Sequence, residues 1–371
     1  MPKQLPEEVV HAIVHALADS GSPNDLLTLT LVSPTFARQS RLHLLTHPDI
    51  RSSASAKLVQ ANQAVSEQAR TLTVQPGRRT RLEKKRIGRK TVEEWVEDAV
   101  TEDDLVQLCA KLRKLEAVHL IQPVFTSLRR RQINFLSHLT SLHTLSICGR
   151  PSDSGVFTLQ TVGRILLTLP HLKHLTLRHL DCRSTSLDGL SFPTYNLVSF
   201  SLFSCPDITD KQLYWLLHPV IYSESLRRLS FGILPPVKPS RLYPVRWAPV
   251  RTTSVYLETD QAQAIETLPI HLPSIRYFSF RTRARLDPAR LFASCTTFNT
   301  TESLIDYSDR GCGLPLRALA EAVLSQKRSR AGGVRAVAIR RERRHEDEFV
   351  LLKAVCEYRG VALRLVSGAA E

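Results

Sequence analysis

The sequence predicts a mixed α/β protein in which a short module of three helices precedes an irregular solenoid of parallel strands and helices. Three observations lead to this prediction. Prolines open three apolar helical segments near the start of the chain. A short apolar phrase typical of a buried strand then recurs along the remainder. Hydrophobic residues make up 43% of the 371 residues, enough for one small module and one long repeat domain. We therefore divide the sequence into a helical module (1–46), linker helices with a basic loop at 76–90 (47–110), and the solenoid (111–371).

Each helix of the module begins at a proline. Pro6 is followed by Glu7 and Glu8, whereas Pro23 and Pro34 each follow a serine. Proline loses no hydrogen bond in a first helical turn, serine caps the exposed N–H groups, and carboxylates complement the positive end of the helix dipole. The predicted helices span residues 6–18, 23–32 and 34–45.

The apolar residues of this module exceed what one small core can use. Val9, Ile13 and Leu17 recur at helical spacing on one face of the first helix, and Val10 and Val14 form a second stripe beside them. The second helix is apolar almost all round, with Leu26, Leu27, Leu29, Leu31 and Val32. A unit this small needs a further surface to cover these residues, either on the rest of the chain or on another protein.

The order of these residues resembles the F-box motif over about residues 4–46. The resemblance rests on a series of matched positions: Leu5-Pro6, Val9, Ile13, Asp25-Leu26-Leu27, Leu29, Leu31-Val32-Ser33, Phe36 and Arg41. Two departures are visible. The connection at 18–22 is longer than usual, and Phe36 stands where the family often has tryptophan.

In the F-box family this motif docks on the adaptor Skp1 of a cullin–RING ubiquitin ligase. The resemblance therefore implies a Skp1-like adaptor and a cullin ligase as partners, with a protein client held by the rest of the chain. It also implies a set of Skp1-contacting residues, some of which must hold the module itself together: Leu5, Pro6, Val9, Ile13, Leu26, Leu27, Leu29, Val32 and Phe36.

The repeated phrase has the form L-x-x-L-x-L. Its copies place apolar residues at 115, 118 and 120, at 142, 145 and 147, at 172, 175 and 177, at 197, 200 and 202, at 226, 229 and 231, and at 275, 278 and 280. Neighbouring copies among the first five are 25 to 30 residues apart. This step is close to that of leucine-rich repeats, in which each repeat supplies one strand, whose alternate residues face inward, and one helical segment.

Weaker copies and helical segments complete the prediction of a leucine-rich-repeat-like solenoid. The weaker strands lie at Thr71–Val74, Val255–Leu257, Val334–Ile339 and Val361–Leu365, and the helices at Arg129–Leu139, Leu159–Leu169, Asp210–Leu217, Pro288–Ala293 and Pro315–Gln326. Only Cys205 occupies the position where regular repeats carry asparagine or cysteine, so we expect an irregular solenoid. A doubly wound α/β domain is the alternative fold.

The charge of +15 is concentrated in two segments. The first, within 78–90, holds Arg78, Arg79, Arg81, Lys84, Lys85, Arg86, Arg89 and Lys90; the second runs from Lys327 to Arg344. We predict that the first is an exposed loop after Pro76-Gly77, followed by a helix from Thr91. It is either a solvated loop without a partner, a nuclear-import signal or a contact for an acidic partner. We do not expect nucleic acid, because basic charge alone supports only weak, salt-sensitive binding.

Composition favours some cellular locations over others. No apolar run approaches the roughly 18 residues of a membrane span, so we expect no membrane partner. Glu7 and Glu8 interrupt any signal-peptide core. The seven cysteines include no C-x-x-C pair, which favours reduced thiols in the cytoplasm or nucleus.

The sequence contains no catalytic or cofactor motif that we would assign. A phosphate loop and a nucleophile elbow are both absent. His171, His174 and His179, with Asp181 and Cys182, can be drawn as a metal site, but exposed strand histidines are the better interpretation. We therefore expect no enzyme activity, no cofactor and no metal.

These observations together predict a non-catalytic substrate-recognition adaptor of a Skp1–cullin–F-box ubiquitin ligase. The alternatives are a leucine-rich-repeat-like scaffold without ligase association and a basic nucleic-acid-associated protein. Client-binding candidates are the strand residues between inward positions: His119, Thr144, Ser146, His174, Thr176, Ser199, Ser201, Arg228 and Ser230. The segment 243–249 is either a further binding loop or an insertion.

Overall fold

A computed structural model of the chain describes most of its residues. They are 5–19, 23–75, 81–87, 90–96, 100–121, 136, 138–149, 158–182, 187, 189–205, 208–223, 225–232, 251–259, 262–267, 274–297, 301–309, 311–326 and 334–367. The chain forms two compact units, Met1–Gly149 and Arg150–Glu371. The domain boundaries predicted after residues 46 and 110 both lie inside the first unit.

The first unit begins with three helices at the predicted positions. They are α1 (Glu7–Asp19), α2 (Pro23–Leu29) and α3 (Pro34–Thr46). Their core consists of Val10, Val14, Leu26 and Phe36, which are 2–8% exposed. Of the two apolar stripes on α1, Val10 and Val14 therefore supply the buried one, whereas Val9 is 42% exposed.

The second helix ends three residues earlier than predicted. The N–H groups of Leu31 and Val32 donate to the carbonyls of Thr28 and Leu29 at 3.0 and 3.1 Å, which closes a tight turn. Ser33 is extended, and its Oγ accepts the N–H of the residue three positions on at 3.3 Å. This cap starts α3 and leaves Leu31 and Val32 in the connection.

Strands and helices alternate in the rest of the first unit. They are β1 (Asp49–Ile50), α4 (Ser53–Ala61), α5 (Gln63–Gln68), β2 (Thr71–Val74), β3 (Arg81–Ile87), β4 (Lys90–Val96), α6 (Glu102–Lys111), β5 (Ala117–Ile121) and β6 (Thr144–Cys148). Strands β1, β2, β5 and β6 pair in that order and in parallel. Leu72, Val118 and Leu145 are in register and fully buried, so the repeated phrase does define the inward face.

The prediction of a basic loop followed by a helix from Thr91 is wrong. Strands β3 and β4 form an antiparallel hairpin in which Lys84 is the partner of Glu93 and Lys85 of Val92. Only residues 88 and 89 separate the two strands, so they pair locally and satisfy their backbone groups without an apolar repeat. A search for apolar periodicity misses such a hairpin.

The second unit continues the alternation of strands and helices. It contains α7 (Leu159–Leu166), β7 (His174–Arg178), β8 (Ser199–Phe203), α8 (Asp210–Ser223), β9 (Arg228–Gly232), β10 (Ser254–Glu258), α9 (Ala262–Thr267), β11 (Tyr277–Arg281), α10 (Pro288–Thr297), β12 (Ser303–Asp306), α11 (Leu316–Ser325), β13 (Ala336–Arg340), α12 (Phe349–Arg359) and β14 (Ala362–Val366). Each of these strands pairs in parallel with the next along the chain. The strong and weak strand phrases of this unit are thereby confirmed. Most of the helix predicted at 129–139, and all of the segment 243–249, lie outside the described residues.

Alternate strand residues form two buried ladders in this unit. The first ladder is Leu175, Phe200, Leu229, Val255, Phe278, Leu304 and Val337; the second is Leu177, Leu202, Phe231, Leu257, Phe280, Asp306 and Ile339. Asp306 is fully buried at a position that is otherwise apolar. This carboxylate breaks the phrase, which is why the sequence did not predict β12.

A network of hydrogen bonds compensates the buried charge. The Asp306 carboxylate accepts the N–H groups of Ser308 and Leu314, both at 2.9 Å, and the guanidinium of Arg343 at 2.8 Å. Arg343 is 1% exposed and also donates to the Leu314 carbonyl at 2.7 Å and to Glu346 at 2.8 Å. The network holds the connection after β12 in place and has a structural role.

Cys205, which the repeat pattern predicted to cap backbone groups, is buried at the end of β8. Its Sγ donates to the Phe203 carbonyl at 3.3 Å. Cys182 lies at the corresponding turn after β7, where its Sγ contacts the Leu180 carbonyl at 3.8 Å. A hydrogen bond with Cys182 lowers the pKa of Cys205, although burial opposes the shift. The Cys205 thiol thus occupies the asparagine position of a regular repeat, whereas Cys182 lies two residues beyond that position in the preceding turn.

Candidate partner-binding surfaces

The structure divides the nine residues that the F-box resemblance implies. Leu26 and Phe36 belong to the core of the module, and Ile13 and Leu29 are partly buried against it. The exposed members are Leu5, Pro6, Val9 and Val32. The side chain of Leu27 lies outside the described residues. Among the described side chains, the exposed group is available to a partner without unfolding the module.

The exposed apolar residues lie at one end of the module. Helices α1 and α3 run side by side in the same direction, since Glu7 accepts hydrogen bonds from Arg38 and Gln39, and the ring of His15 contacts that of His43. Leu5, Pro6 and Val9 surround the start of α1, and Leu31 and Val32 directly precede the cap of α3. We call these five residues the module patch.

Leu31 is a highly exposed member of the module patch, although the resemblance did not assign it a partner contact. It is 86% exposed, compared with 61% for Val32 and 53% for Leu5. Leu31 is exposed because α2 ends at Leu29, which moves it from a helix face into the connection. Exposed apolar side chains at one end of a module point to a protein–protein contact.

A shallow groove of about 470 Å³ lies along α3. Its lining includes Pro34, Ala37, Arg41, Leu42 and Leu45. Leu42 is 50% exposed. Helix α3 therefore contributes both to the core and to a second partly apolar surface, which the spacing of its residues did not predict.

Four histidine rings form a row between α1 and the end of α3. The ring centroids of His11 and His15 are 5.3 Å apart, those of His15 and His43 5.9 Å, and those of His43 and His47 4.4 Å. Burial and the nearby His15 lower the pKa of His47. A proton on His47 therefore adds a positive charge near His15.

The client-binding candidates occupy the strand positions that the repeat predicted. In the first unit they are His119, Thr144 and Ser146; in the second they are His174, Thr176, Ser199, Ser201, Arg228 and Ser230. Each alternates with a member of the buried ladders, so each side chain is on the opposite face of its strand. Burial lowers the pKa of His119. The contact of these residues with a client stays a prediction.

An aromatic and charged strip crosses the carboxyl ends of the strands in the second unit. The guanidinium of Arg178 lies 4.8 Å from the centroid of the Phe203 ring, and the Phe203 and Tyr256 ring centroids are 6.0 Å apart. Arg281 lies 3.9 Å from Glu258 and 3.7 Å from Asp309. Carboxyl ends of parallel strands are frequent ligand sites, but here most charges are already neutralised within the strip.

A glycine lets Phe203 lie flat in this strip. Gly232 is the partner of Phe203 in the register of β8 and β9. A Cβ at Gly232 would lie 2.9 Å from Cε1 of the Phe203 ring and closer still to Cδ1. The absence of a side chain at 232 thus allows the ring to cover the neighbouring strand.

The basic residues at 78–90 are divided between the hairpin and the undescribed segments. Arg81, Lys84, Lys85 and Arg86 belong to β3 and Lys90 to β4, whereas Arg78, Arg79 and Arg89 lie outside the described residues. The basic segment is therefore largely strand. Its role as a nuclear-import signal or acidic-partner contact stays a prediction.

Neither the described residues nor known proteins assign a ligand to the surfaces described above. Within the part of the chain that the structure describes, no three histidine, cysteine or acidic residues are placed to hold a metal ion. Among the same residues, no helix combines the length and apolar character needed to cross a membrane. No model of a known protein family matches the chain, and no curated protein matches it either.

Proposed function

We propose that this chain is a non-catalytic substrate-recognition adaptor of a Skp1–cullin–F-box ubiquitin ligase, acting in the cytoplasm, the nucleus or both. In this proposal the helical module docks on a Skp1-like adaptor, and the strands form an irregular leucine-rich-repeat-like solenoid that holds a protein client. The ligase would then act by proximity, raising the local concentration of the ubiquitin carrier near the client.

The observation that carries the proposal is the module patch. The module already has its own core in Val10, Val14, Leu26 and Phe36, yet Leu31 and Val32 remain 86% and 61% exposed beside the start of α1. Apolar area of this kind gains about 25 cal/mol for each Å² that a partner covers. The F-box resemblance supplies the identity of that partner.

The parallel strands support the second half of the proposal. Successive strands pair with their neighbours in sequence, and inward residues recur as L-x-L phrases between helical segments. Such stacking is the architecture of leucine-rich repeats, whose strand faces present side chains to partners. Outward positions rich in serine and threonine leave that face open to specific hydrogen bonds.

Co-expression of the full chain with Skp1, followed by pull-down, tests the proposal. The variant Val9→Asp, Val32→Asp changes two exposed positions, so its fold should survive, and circular dichroism verifies this. Capture of Skp1 should fall at least about tenfold, because desolvating unpaired carboxylates costs several kcal/mol. The control Leu58→Asp changes a residue on α4 that is 72% exposed, and it should bind as the intact chain does.

Two outcomes would contradict the docking proposal. One is failure of the intact, folded chain to capture Skp1, which would favour a scaffold without ligase association. The other is equal capture by the double variant, which would remove the module patch from the interface. Leu26→Asp is unsuitable for this test, since Leu26 lies in the core of the module.

A further inference from the structure

The amino ends of the strands in the second unit form one continuous edge. The carbonyl of Lys173 accepts N–H groups from the start of β8, and that of Arg227 accepts those of β10. The carbonyls of Arg276 and Glu302 continue the series to β12 and β13. Residues just before successive strands are thereby held in register, so their spacing follows the strand spacing.

This edge is strongly basic. Lys173, Arg228, Arg276 and Arg335 are exposed, and none of them has an ion pair with a described carboxylate. Lys173, Arg276 and Arg335 directly precede β7, β11 and β13, whereas Arg228 is the first residue of β9, one register position further along. The four cations thus mark every second strand. We call these four residues the basic edge. Glu302, which directly precedes β12, is a carboxylate within the same edge.

The corresponding positions of the first unit are neutralised. Arg70 and His143 both lie near Glu116, with N–O separations of 3.5 and 3.8 Å. These three residues also directly precede their strands, and the Arg70 and Glu116 carbonyls bond to the strands that follow. The excess of cations is therefore a property of the second unit and does not follow from the repeat itself.

We propose that the basic edge binds an extended acidic segment of a partner protein. This inference names the chemistry of the client and so rests on the proposed function. Cations on every second strand are about 10 Å apart, twice the strand spacing. An extended polypeptide places every third side chain about 10 Å along its length, so acidic residues at that interval match the edge.

The same spacing disfavours a nucleic acid backbone. A nucleic acid strand carries a phosphate charge about every 3.4 Å along the helix axis, so cations some 10 Å apart neutralise only a minority. Glu302, which precedes β12 within this edge, would face the phosphates directly. The intervening Ser199, Ser254 and Ser303 instead offer hydroxyl groups to the polar backbone of a peptide.

The test measures binding of the full chain to a fluorescein-labelled peptide with glutamate at every third position among serine and glycine. The same peptide with glutamine in place of glutamate is the uncharged control, and a thymidine oligonucleotide is the nucleic acid control. The variant Arg228→Gln, Arg276→Gln, Arg335→Gln removes three edge cations. The matched variant Arg290→Gln, Arg317→Gln, Lys353→Gln removes three exposed cations from helices α10, α11 and α12.

We expect the glutamate peptide to bind and the glutamine peptide to bind at least tenfold more weakly. The edge variant should lose about tenfold or more in affinity, and the helix variant should stay within about threefold. Arg276→Glu should weaken binding of the glutamate peptide more than Arg276→Gln does, because it adds a like charge beside the remaining edge cations. This graded loss keeps the test valid if the triple variant proves unstable.

Equal binding of the glutamate peptide by the edge variant and the intact chain would overturn the proposal. Tighter binding of the oligonucleotide, with the same dependence on the three arginines, would also overturn it and assign the edge to nucleic acid. Skp1 capture measured on the same preparations separates the two proposals. Capture without edge-dependent peptide binding contradicts only this inference, whereas edge-dependent binding without capture contradicts only the ligase function.

Discussion

Asp306 is a charged residue in an otherwise apolar ladder, and it depends on Arg343 for compensation. The two side chains are at most 1% exposed and lie 2.8 Å apart. A buried ion pair of this kind contributes little net stability compared with apolar residues of the same volume, but the loss of one partner leaves a bare buried charge. The fold therefore tolerates the ion pair but not the loss of either partner.

Replacement of Arg343 with methionine should lower the free energy of unfolding by about 3–5 kcal/mol, because the Asp306 carboxylate then stays buried without its cation. Urea unfolding at neutral pH, followed by circular dichroism, measures the loss. The double variant Asp306→Leu, Arg343→Met should recover part of it. A single variant within about 1 kcal/mol of the intact chain would show that the pair is not buried as the structure has it.

At the scale of single elements, local signals determine where helices begin. Thr101 caps α6: its Oγ1 accepts the N–H of Asp104 at 3.1 Å, and the Asp104 carboxylate accepts the N–H of Thr101 at 3.0 Å. Burial alone would raise the pKa of Asp104, but the hydrogen bonds from Thr101 lower it overall. The carboxylate form is thus the one that stabilises the start of this helix.

Substitution of Thr101 with alanine should lower the free energy of unfolding by about 1 kcal/mol. The same substitution in an Asp104→Ala background should have a smaller effect, since the two residues form one capping box. A double-mutant cycle by thermal unfolding provides this comparison. Strictly additive losses would contradict the reciprocal cap.

Strand β12 and the hairpin β3–β4, which the sequence missed, were missed for a different reason. Strand β12 was missed because Asp306 interrupts its apolar alternation, and Arg343, which compensates the charge, lies 37 residues later. The hairpin β3–β4 was missed because its strands are rich in charge and have no apolar ladder. All three strands depend on pairing with another segment, and their own apolar pattern does not record that partner.

At the scale of the whole molecule, several histidines link stability to pH. Burial lowers the pKa of His47, His119 and His179 from the ordinary 6.5. The nearby His15 further lowers the pKa of His47, and the nearby Arg178 further lowers that of His179. The unfolded chain therefore binds more protons than the folded one once the pH falls below about 6.5. Acidification should destabilise the protein in that range.

We expect the free energy of unfolding to fall as the pH is lowered from 7 toward 5, in urea titrations at constant salt. The variant His47→Gln, His119→Gln, His179→Asn should show a flatter profile. Asparagine suits position 179, where the backbone has a φ of 52°. An unchanged slope in this variant would assign the pH dependence to other groups.

The sequence by itself determined the helices of the module, most of the parallel strands and the alternation of their faces. These features follow from caps and from periods of a few residues, which nearby residues record. Only the tertiary structure decided which apolar residues of the module are core and which form the module patch. It also brought Lys173, Arg228, Arg276 and Arg335, whose neighbours along the chain are 48 to 59 residues apart, to the same edge of the sheet. Residues so distant become neighbours only when strands pair, because the register of a sheet is a long-range property that no local pattern contains.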